Sequence, residues 1–371
     1  MSEVKIARID VFQVDLPYVG QVYRLSGGRE YTSFDATIVR ITTQNGIEGW
    51  GESTPFGSTY VAAHALGVRA GIGEIAPKLL GLDPRRVDRI NDAMDAALLG
   101  HEHAKTALDV ACWDIFGKSV GLPVCDLLGG RTNVKLPLIS SIPVDEPETM
   151  RKHVAKFRAK GYVGHSVKID GEPKKDAERI AAALADKGPH EFFIVDANGG
   201  LTVETGLRMF RLLPDGLDFV LEPPCATWRE SVSLRRRSNI PFFFDELATN
   251  DSSIAKLIAD DAAEGFDLKI SKAGGLTKGR RQRDIGLAAG YTMGVQDTVG
   301  SDIVFAAIVH MAQTIPERHL RCILDTRDMV TLKTADADYQ IHSGRVTAPT
   351  EPGLGITPRL EVLGEPVASY S

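Results

Sequence analysis

Residues 192–246 read FFIVDANGGLTVETGLRMFRLLPDGLDFVLEPPCATWRESVSLRRRSNIPFFFDE, and their rhythm decides the fold. Short apolar, β-rich runs close on Asp196, Glu222 and Asp245, and the stretches between carry apolar residues at helical spacing. The unit continues on both sides. Similar runs end at or near Ser140, Lys168, Lys269, Asp297 and Asp325, so that consecutive ends lie 28, 28, 26, 23, 24, 28 and 28 residues apart. One strand and one helix per unit at so regular a period specify parallel βα units. Eight strands predict an α/β fold with a (β/α)₈-type barrel. The glycine fingerprint that a doubly wound sheet carries after its first strand is missing.

Outward from the barrel the pattern changes. Residues 4–15 and 34–52 alternate apolar and polar, with Asn45-Gly46 inside the second stretch, which predicts an antiparallel meander. A polar, glycine-containing loop spans 17–32, and a second loop covers 53–60. Helical spacing follows near 62–80, 85–98 and 103–119. Residues 1–130 therefore read as a separate α+β domain and 131–330 as the barrel. No eighth helix pattern follows Asp325, and residues 331–371, with Pro352, Gly353, Gly355 and Pro358, read as an extended tail returning to the N-terminal domain.

Composition narrows the function. The chain has 371 residues, 43 Lys+Arg against 49 Asp+Glu and a net charge of -6, with no basic half, so no nucleic-acid or anionic-membrane partner is expected. The basic clusters Arg235 to Arg237 and Lys278 to Arg281 fit solvated helix faces. Cys112, Cys125, Cys225 and Cys322 lack both CxxC spacing and disulfide density, and read as reduced core thiols. The N-terminus runs straight into a strand pattern without a leader, and no apolar run approaches the ~20 residues of a spanning helix. A cytoplasmic location is the expectation.

Active sites of such barrels lie where the strand ends converge. An acid at a strand end can instead cap the next helix, but Lys168 and Lys269 cannot N-cap, and Glu222 is followed by Pro223-Pro224. Asp196, Glu222 and Asp245 end three adjacent staves. Three carboxylates so placed raise one another's pKa unless a cation neutralises them. An all-oxygen set favours a hard ion, Mg²⁺ before Mn²⁺ or Ca²⁺. Lys168 and Lys269 end the second and sixth strands, on opposite sides of the mouth. Near a divalent cation and partly desolvated, a lysine's pKa falls toward the range of a useful base. Two opposed lysines beside a metal suit abstraction of a proton next to a carboxylate. A Schiff-base lysine mechanism is a separate alternative.

The motifs GWGES at 49–53, VDAN ending at Asn198, LEPP around Glu222, FDE around Asp245, LKISKAGGLT from Leu268 and PGLGITP at 352–358 span the chain. They resemble the enolase superfamily in its mandelate racemase and muconate lactonizing enzyme branch. That resemblance implies a modified (β/α)₇β barrel with an N-terminal capping domain completed by the C-terminal tail. It implies Mg²⁺ on Asp196, Glu222 and Asp245, acid–base work by Lys168 and Lys269, and supporting roles for Asn198 and Glu246. Lys272 adds positive charge at the mouth. The lysine-X-lysine pattern of the second strand is here Ser166-Val167-Lys168, and no histidine stands at Asp297.

The stretches STPFGSTY (53–60), AAHALGVRAG (62–71), GHEHAK (100–105), PPCATWRESVSLRRR (223–237) and LGEPVASYS (363–371) resemble the cis-3-hydroxy-L-proline dehydratases and proline betaine epimerases. A Mg²⁺-dependent lyase acting on a small carboxylate, cis-3-hydroxy-L-proline or a relative, is the leading expectation, and homo-oligomers are common in the family. An epimerase of proline betaine or another N-substituted amino acid is the alternative. A muconate-type cycloisomerase and a non-catalytic metabolite-binding barrel are more distant. Those relatives carry an aromatic residue after Asp-Thr at the seventh strand, whereas here the run is Asp297-Thr298-Val299.

Phe56 and Tyr60, with Tyr23, are expected as substrate-facing walls or interdomain packing, and Asp297 and Thr298 as substrate-binding residues. His101-Glu102-His103 reads as a capping or loop segment rather than a metal site. Gly71-Ile72-Gly73 lies within a helical pattern, against a dinucleotide reading.

Overall fold

The structure, a computed structural model, describes residues 4–371; the reading of the leaderless N-terminus falls partly on residues outside this range. The N-terminal sheet is built from β1 (Ile6–Pro17), β4 (Ser33–Thr43) and β5 (Glu48–Ser53). β4 turns into β5 at Asn45-Gly46, where Gly46 has φ +82 and its N–H bonds to Thr43 O at 2.9 Å. The loop before β4 is ordered as a small hairpin of β2 (Tyr23–Leu25) and β3 (Arg29–Tyr31). Helices Ala65–Leu79, Val87–Ala97 and Glu102–Val120 follow, and Ile9, Ile41, Ile72 and Leu108 sit in the core they share with the sheet.

The GWG motif shows why glycine is needed there. A β-carbon on Gly51 would lie 2.0 Å from Ala107 O, and one on Gly49 2.2 Å from Ala111 O. Strand and helix backbones thus approach closer than any side chain allows. Asp114, on that helix, accepts from Trp50 N at 3.0 Å and from Leu354 N at 2.8 Å, joining this motif to PGLGITP.

The barrel strands are β6 (Leu136–Ile142), β7 (Gly164–Lys168), β8 (Phe192–Asp196), β9 (Val220–Glu222), β10 (Phe243–Phe244), β11 (Gly265–Lys269), β12 (Thr292–Gln296) and β13 (Leu320–Leu324). They run parallel in the order β10-β11-β12-β13-β6-β7-β8-β9. A single parallel bridge, Leu221 to Phe242, joins the ends of that path. Register sets Lys168 beside Asp196 and Asp196 beside Glu222. After β13 comes only a 3₁₀ turn, Thr326–Met329, capped by the Asp325 side chain, in place of an eighth helix. This is the (β/α)₇β arrangement.

The tail serves both halves. β14 (Ala335–Ala337) pairs with β17 (Ile356–Pro358), and β15 (Gln340–His342) with β16 (Arg345–Thr347). β16 also pairs with β6 at Pro137 and Leu136, at the barrel floor. β18 (Ala368–Tyr370) adds the outer strand of the N-terminal sheet against β1. No helix among the described residues is long and apolar enough to cross a membrane. All four cysteines are buried and free.

Candidate active site

The helices after β8, β9 and β10 are capped by Thr202, Thr227 and Asn250. Asp196, Glu222 and Asp245 are therefore not used as caps, and all three are at most 2% exposed at the barrel mouth. Lys168, on β7, donates to Asp196 Oδ2. Four staves away, Lys269 on β11 donates to Asp245 Oδ2. Lys272, in the one-turn helix Ile270–Ala273, donates to Asp245 Oδ1 and to its backbone carbonyl, both at 2.5 Å. Asn198, with φ +43, donates its amide to Asp196 Oδ2 at 2.9 Å and to Glu246 Oε1 at 3.0 Å. That backbone conformation is one Asn tolerates better than most residues.

One carboxylate, Asp267, was not singled out from the motifs' strand ends. Asp267 lies two residues before Lys269, so strand alternation turns it to the same interior face; it is fully buried and accepts from Gln296 at 2.6 Å. Ser166 stands in the same relation to Lys168 and lines the same cavity.

The charges are unequally matched. Burial, then Asp267, Asp196 and Asp245, push the Glu222 carboxyl well above its usual range. Burial and Asp245 take Asp267 up to about 6, and burial with Asp245 and Asp196 takes Glu246 up to about 7. Burial acts the same way on Asp245, but the Lys269 and Lys272 ammonium groups outweigh it and hold Asp245 well below. Burial lowers the two strand-end lysines, yet Asp196 at Lys168 and Asp245 at Lys269 override it and raise both. The depressed lysines expected beside a cation are thus not what the paired protein groups alone produce. Among the described residues no three His, Cys, Asp or Glu side chains are already gathered as a metal cluster, because Asp196 and Asp245 turn to ammonium groups. The donor set still suits a hard cation: the carboxylates outnumber the lysines, and buried oxygens of Asp267 and Glu246 lack hydrogen-bond partners.

The cavity between the lysines is small, about 20 Å³. Tyr60 closes it, accepting from Lys269 Nζ at 2.8 Å and donating to Asp245 Oδ2 at 3.2 Å. Phe56 is 5% exposed and packs edge-on against Tyr31, with Tyr60 5.4 Å away. It is therefore both cavity wall and interdomain packing. Tyr23 shares a hydrogen bond with Ser141 on the Lys168 side. Asp297 is fully buried and accepts from the Ser271 N–H at 3.1 Å and hydroxyl at 2.8 Å. Thr298 gives its hydroxyl to Thr54 O at 2.6 Å, tying the capping loop to the barrel. His101 stands at the helix N-cap position, as expected of a loop residue. His103 departs from that expectation: it is buried, with Nδ1 3.2 Å from Ser53 Oγ.

Residues 30–129 match the mandelate racemase/muconate lactonizing enzyme N-terminal domain model, and residues 149–362 the enolase C-terminal domain-like model. The chain belongs to the mandelate racemase/muconate lactonizing enzyme family. A solved family member from Aspergillus oryzae is 74% identical, with TM-score 0.94 and coverage of 99% of this chain and 100% of that one. Another, from Roseovarius nubinhibens ISM and complexed with magnesium, is 54% identical at TM-score 0.97 with the same coverage. The cis-3-hydroxy-L-proline dehydratase of Roseibium aggregatum is 42% identical over 368 residues, 99% of this chain and 100% of that enzyme. The family member described here shares their full length, and it is an enzyme of the enolase superfamily.

Proposed function

We propose that this enzyme dehydrates cis-3-hydroxy-L-proline with Mg²⁺ held by Asp196, Glu222 and Asp245. The observation that carries the reading is the opposition of Lys168 and Lys269 across one buried cavity. In cis-3-hydroxy-L-proline the α-proton and the hydroxyl lie on opposite ring faces, so each lysine meets one of them. The 42% identical dehydratase supports the substrate, and the magnesium-bound neighbour supports the metal. Bound Mg²⁺ supplies Lewis acidity toward the substrate carboxylate and takes negative charge from Asp196 and Asp245, which otherwise keep the lysines protonated.

One lysine amine takes the proton from Cα while the opposed ammonium protonates the departing hydroxyl. The C3–O bond breaks, water leaves, and the cyclic enamine tautomerises to an imine. Asn198 and Glu246 steady Asp196, Lys272 steadies Asp245, and Asp297 and Thr298 border the substrate on the Lys269 side. Phe56 and Tyr60 cover it, and Tyr60 must give up its bond to Lys269 for the substrate to enter. The partner is thus a small carboxylate, and a homo-oligomer is the expected assembly.

Opposed lysines also suit inversion at Cα, so an epimerase of an N-substituted proline is the second reading. Proton NMR in D₂O with Mg²⁺ separates them. Loss of the C3 hydroxyl and appearance of an imine support dehydration; α-proton exchange with the hydroxyl retained supports epimerisation; neither, with any proline derivative, removes both.

A further inference from the structure

Beside the catalytic cavity lies a second one of about 370 Å³, between the capping loop, the start of helix Glu102–Val120 and the barrel mouth. His103, Glu246 and Lys272 line it, and Tyr60 borders both cavities. A line of four side chains joins the two across the domain boundary. Asp297 Oδ2 is 2.8 Å from Ser271 Oγ, Ser271 Oγ is 3.5 Å from Ser53 Oγ, and Ser53 Oγ is 3.2 Å from His103 Nδ1. Asp297, Ser271 and Ser53 are fully buried and His103 is 7% exposed.

The directions of these bonds follow from donor counts. A carboxylate only accepts, so Ser271 spends its single proton on Asp297. Ser53 must then donate to Ser271, which spends the Ser53 proton, and His103 Nδ1 must carry a hydrogen and donate to Ser53. The ring's other nitrogen, Nε2, is the bare acceptor, and it has no partner among the described residues that, with His103, line the second cavity. Every donor in the line points toward Asp297.

The geometry points to a proton relay, His103 to Ser53 to Ser271 to Asp297, that carries protons from the second cavity to the Lys269 side of the catalytic cavity. It rests on the dehydratase reading and assigns Lys269 to the acid face. After Lys269 has given its proton to the leaving hydroxyl, Asp297 receives one from Ser271, Ser271 from Ser53 and Ser53 from His103 Nδ1. His103 Nε2 takes its replacement from water. Asp297 then passes its proton to the Lys269 amine, so one proton enters per turnover. His103 is left as its Nε2–H tautomer with both hydroxyls reversed, and return of the ring to Nδ1–H by proton exchange with water in the second cavity, with rotation of the two hydroxyls, resets the line. Burial takes Asp297 up to about 6, with Lys269 the charged group opposing it, so this carboxyl accepts a proton near neutral pH. Burial, then Lys272 and Lys269, bring His103 down to about 4, which keeps the ring neutral and Nε2 bare. Glu102 and Glu246 are the acids that share the cavity with it.

The same bonds could serve only to dock the domains, and kinetics of the full-length, Mg²⁺-loaded enzyme with cis-3-hydroxy-L-proline separate the two roles. In Ser53→Ala and His103→Ala the first turnover in rapid quench keeps the wild-type rate, while the steady state slows about tenfold or more, because the acid is no longer resupplied. Millimolar imidazole restores His103→Ala, beside its ready-made cavity, and leaves Ser53→Ala slow. Should Ser53→Ala fail to fold, His103→Gln carries the same burst measurement. Steady-state rates equal to wild type, first turnover and steady state falling together, or imidazole without effect on His103→Ala each overturn the relay. A wild type that neither turns over nor exchanges the α-proton refutes the functional reading instead.

Discussion

Replacing Lys269 by methionine separates the two halves of the proposed reaction. Asp245 Oδ2 loses one ammonium partner but keeps the Tyr60 hydroxyl at 3.2 Å, and Oδ1 keeps Lys272 at 2.5 Å. The carboxylate is not orphaned, so the destabilisation falls below the ~3–5 kcal/mol of a fully broken buried pair, near 1–2 kcal/mol. That corresponds to a melting shift of only a few degrees, ~2–4 °C per kcal/mol at most for a chain of this size. Chemistry is affected far more. Loss of a positioned general acid slows dehydration by about 10²–10⁴-fold, or ~3–5 kcal/mol of barrier at 1.36 kcal/mol per decade. Lys168 remains on the opposite face, so exchange of the substrate α-proton with D₂O continues while imine formation stops. Parallel NMR assays of exchange and product on one sample read both rates. If exchange falls as far as dehydration, Lys269 is the base or the two steps are inseparable, and the face assignment is wrong.

Lys168→Ala is expected to remove α-proton exchange and dehydration together, by about 10²–10⁴-fold, with the fold intact by circular dichroism; persistent exchange would exclude it as the base. Chelation with EDTA should abolish turnover, with Mg²⁺ restoring it best, Mn²⁺ next and Ca²⁺ least; full activity in the chelated protein would rule out the metal. Gly51→Ala forces a β-carbon to within 2.0 Å of Ala107 O, and a loss of at least ~1–3 kcal/mol is expected, measured by urea unfolding; wild-type stability would contradict the close approach. His310 accepts from Cys125 N at 3.2 Å and must donate from Nε2 to Leu354 O at 3.1 Å, and burial takes its pKa down to about 4. Because the unfolded ring titrates near ~6.5, the unfolded state binds the extra proton first as the pH falls from there toward 4. Stability supplied by the neutral ring is thus full above that window and lost within it at about 1.4 kcal/mol per pH unit. Urea titrations of wild type and His310→Gln should diverge accordingly, and curves that stay parallel would refute this.

The barrel was readable because its strands are short, its period regular and its strand ends ionisable, so that Lys168, Asp196 and Lys269 mark their own positions. Asp267 could have been found by the same logic, since alternation carries the inward face back two residues from Lys269. The bond between Tyr60 and Lys269 could not, because it spans 209 residues and depends on how two domains dock. His103 illustrates the same limit: beside His101 and Glu102 it reads as a helix start, and its partner Ser53 lies on a strand 50 residues earlier. The tail's division between β1 and β6 likewise depends on edges left open by other elements rather than on its own pattern.

The wall of the barrel has one thin seam. Between β9 and the two-residue β10 a single bridge, Leu221 to Phe242, is the whole ladder. Glu222 and Asp245 sit at the top of that seam, one on each side. The proposed cation, if held by these two carboxylates, would therefore be a rivet as well as a reagent, clamping the join that hydrogen bonding leaves weakest. Under that proposal, metal loading would be coupled to the mechanical integrity of the barrel at this one place.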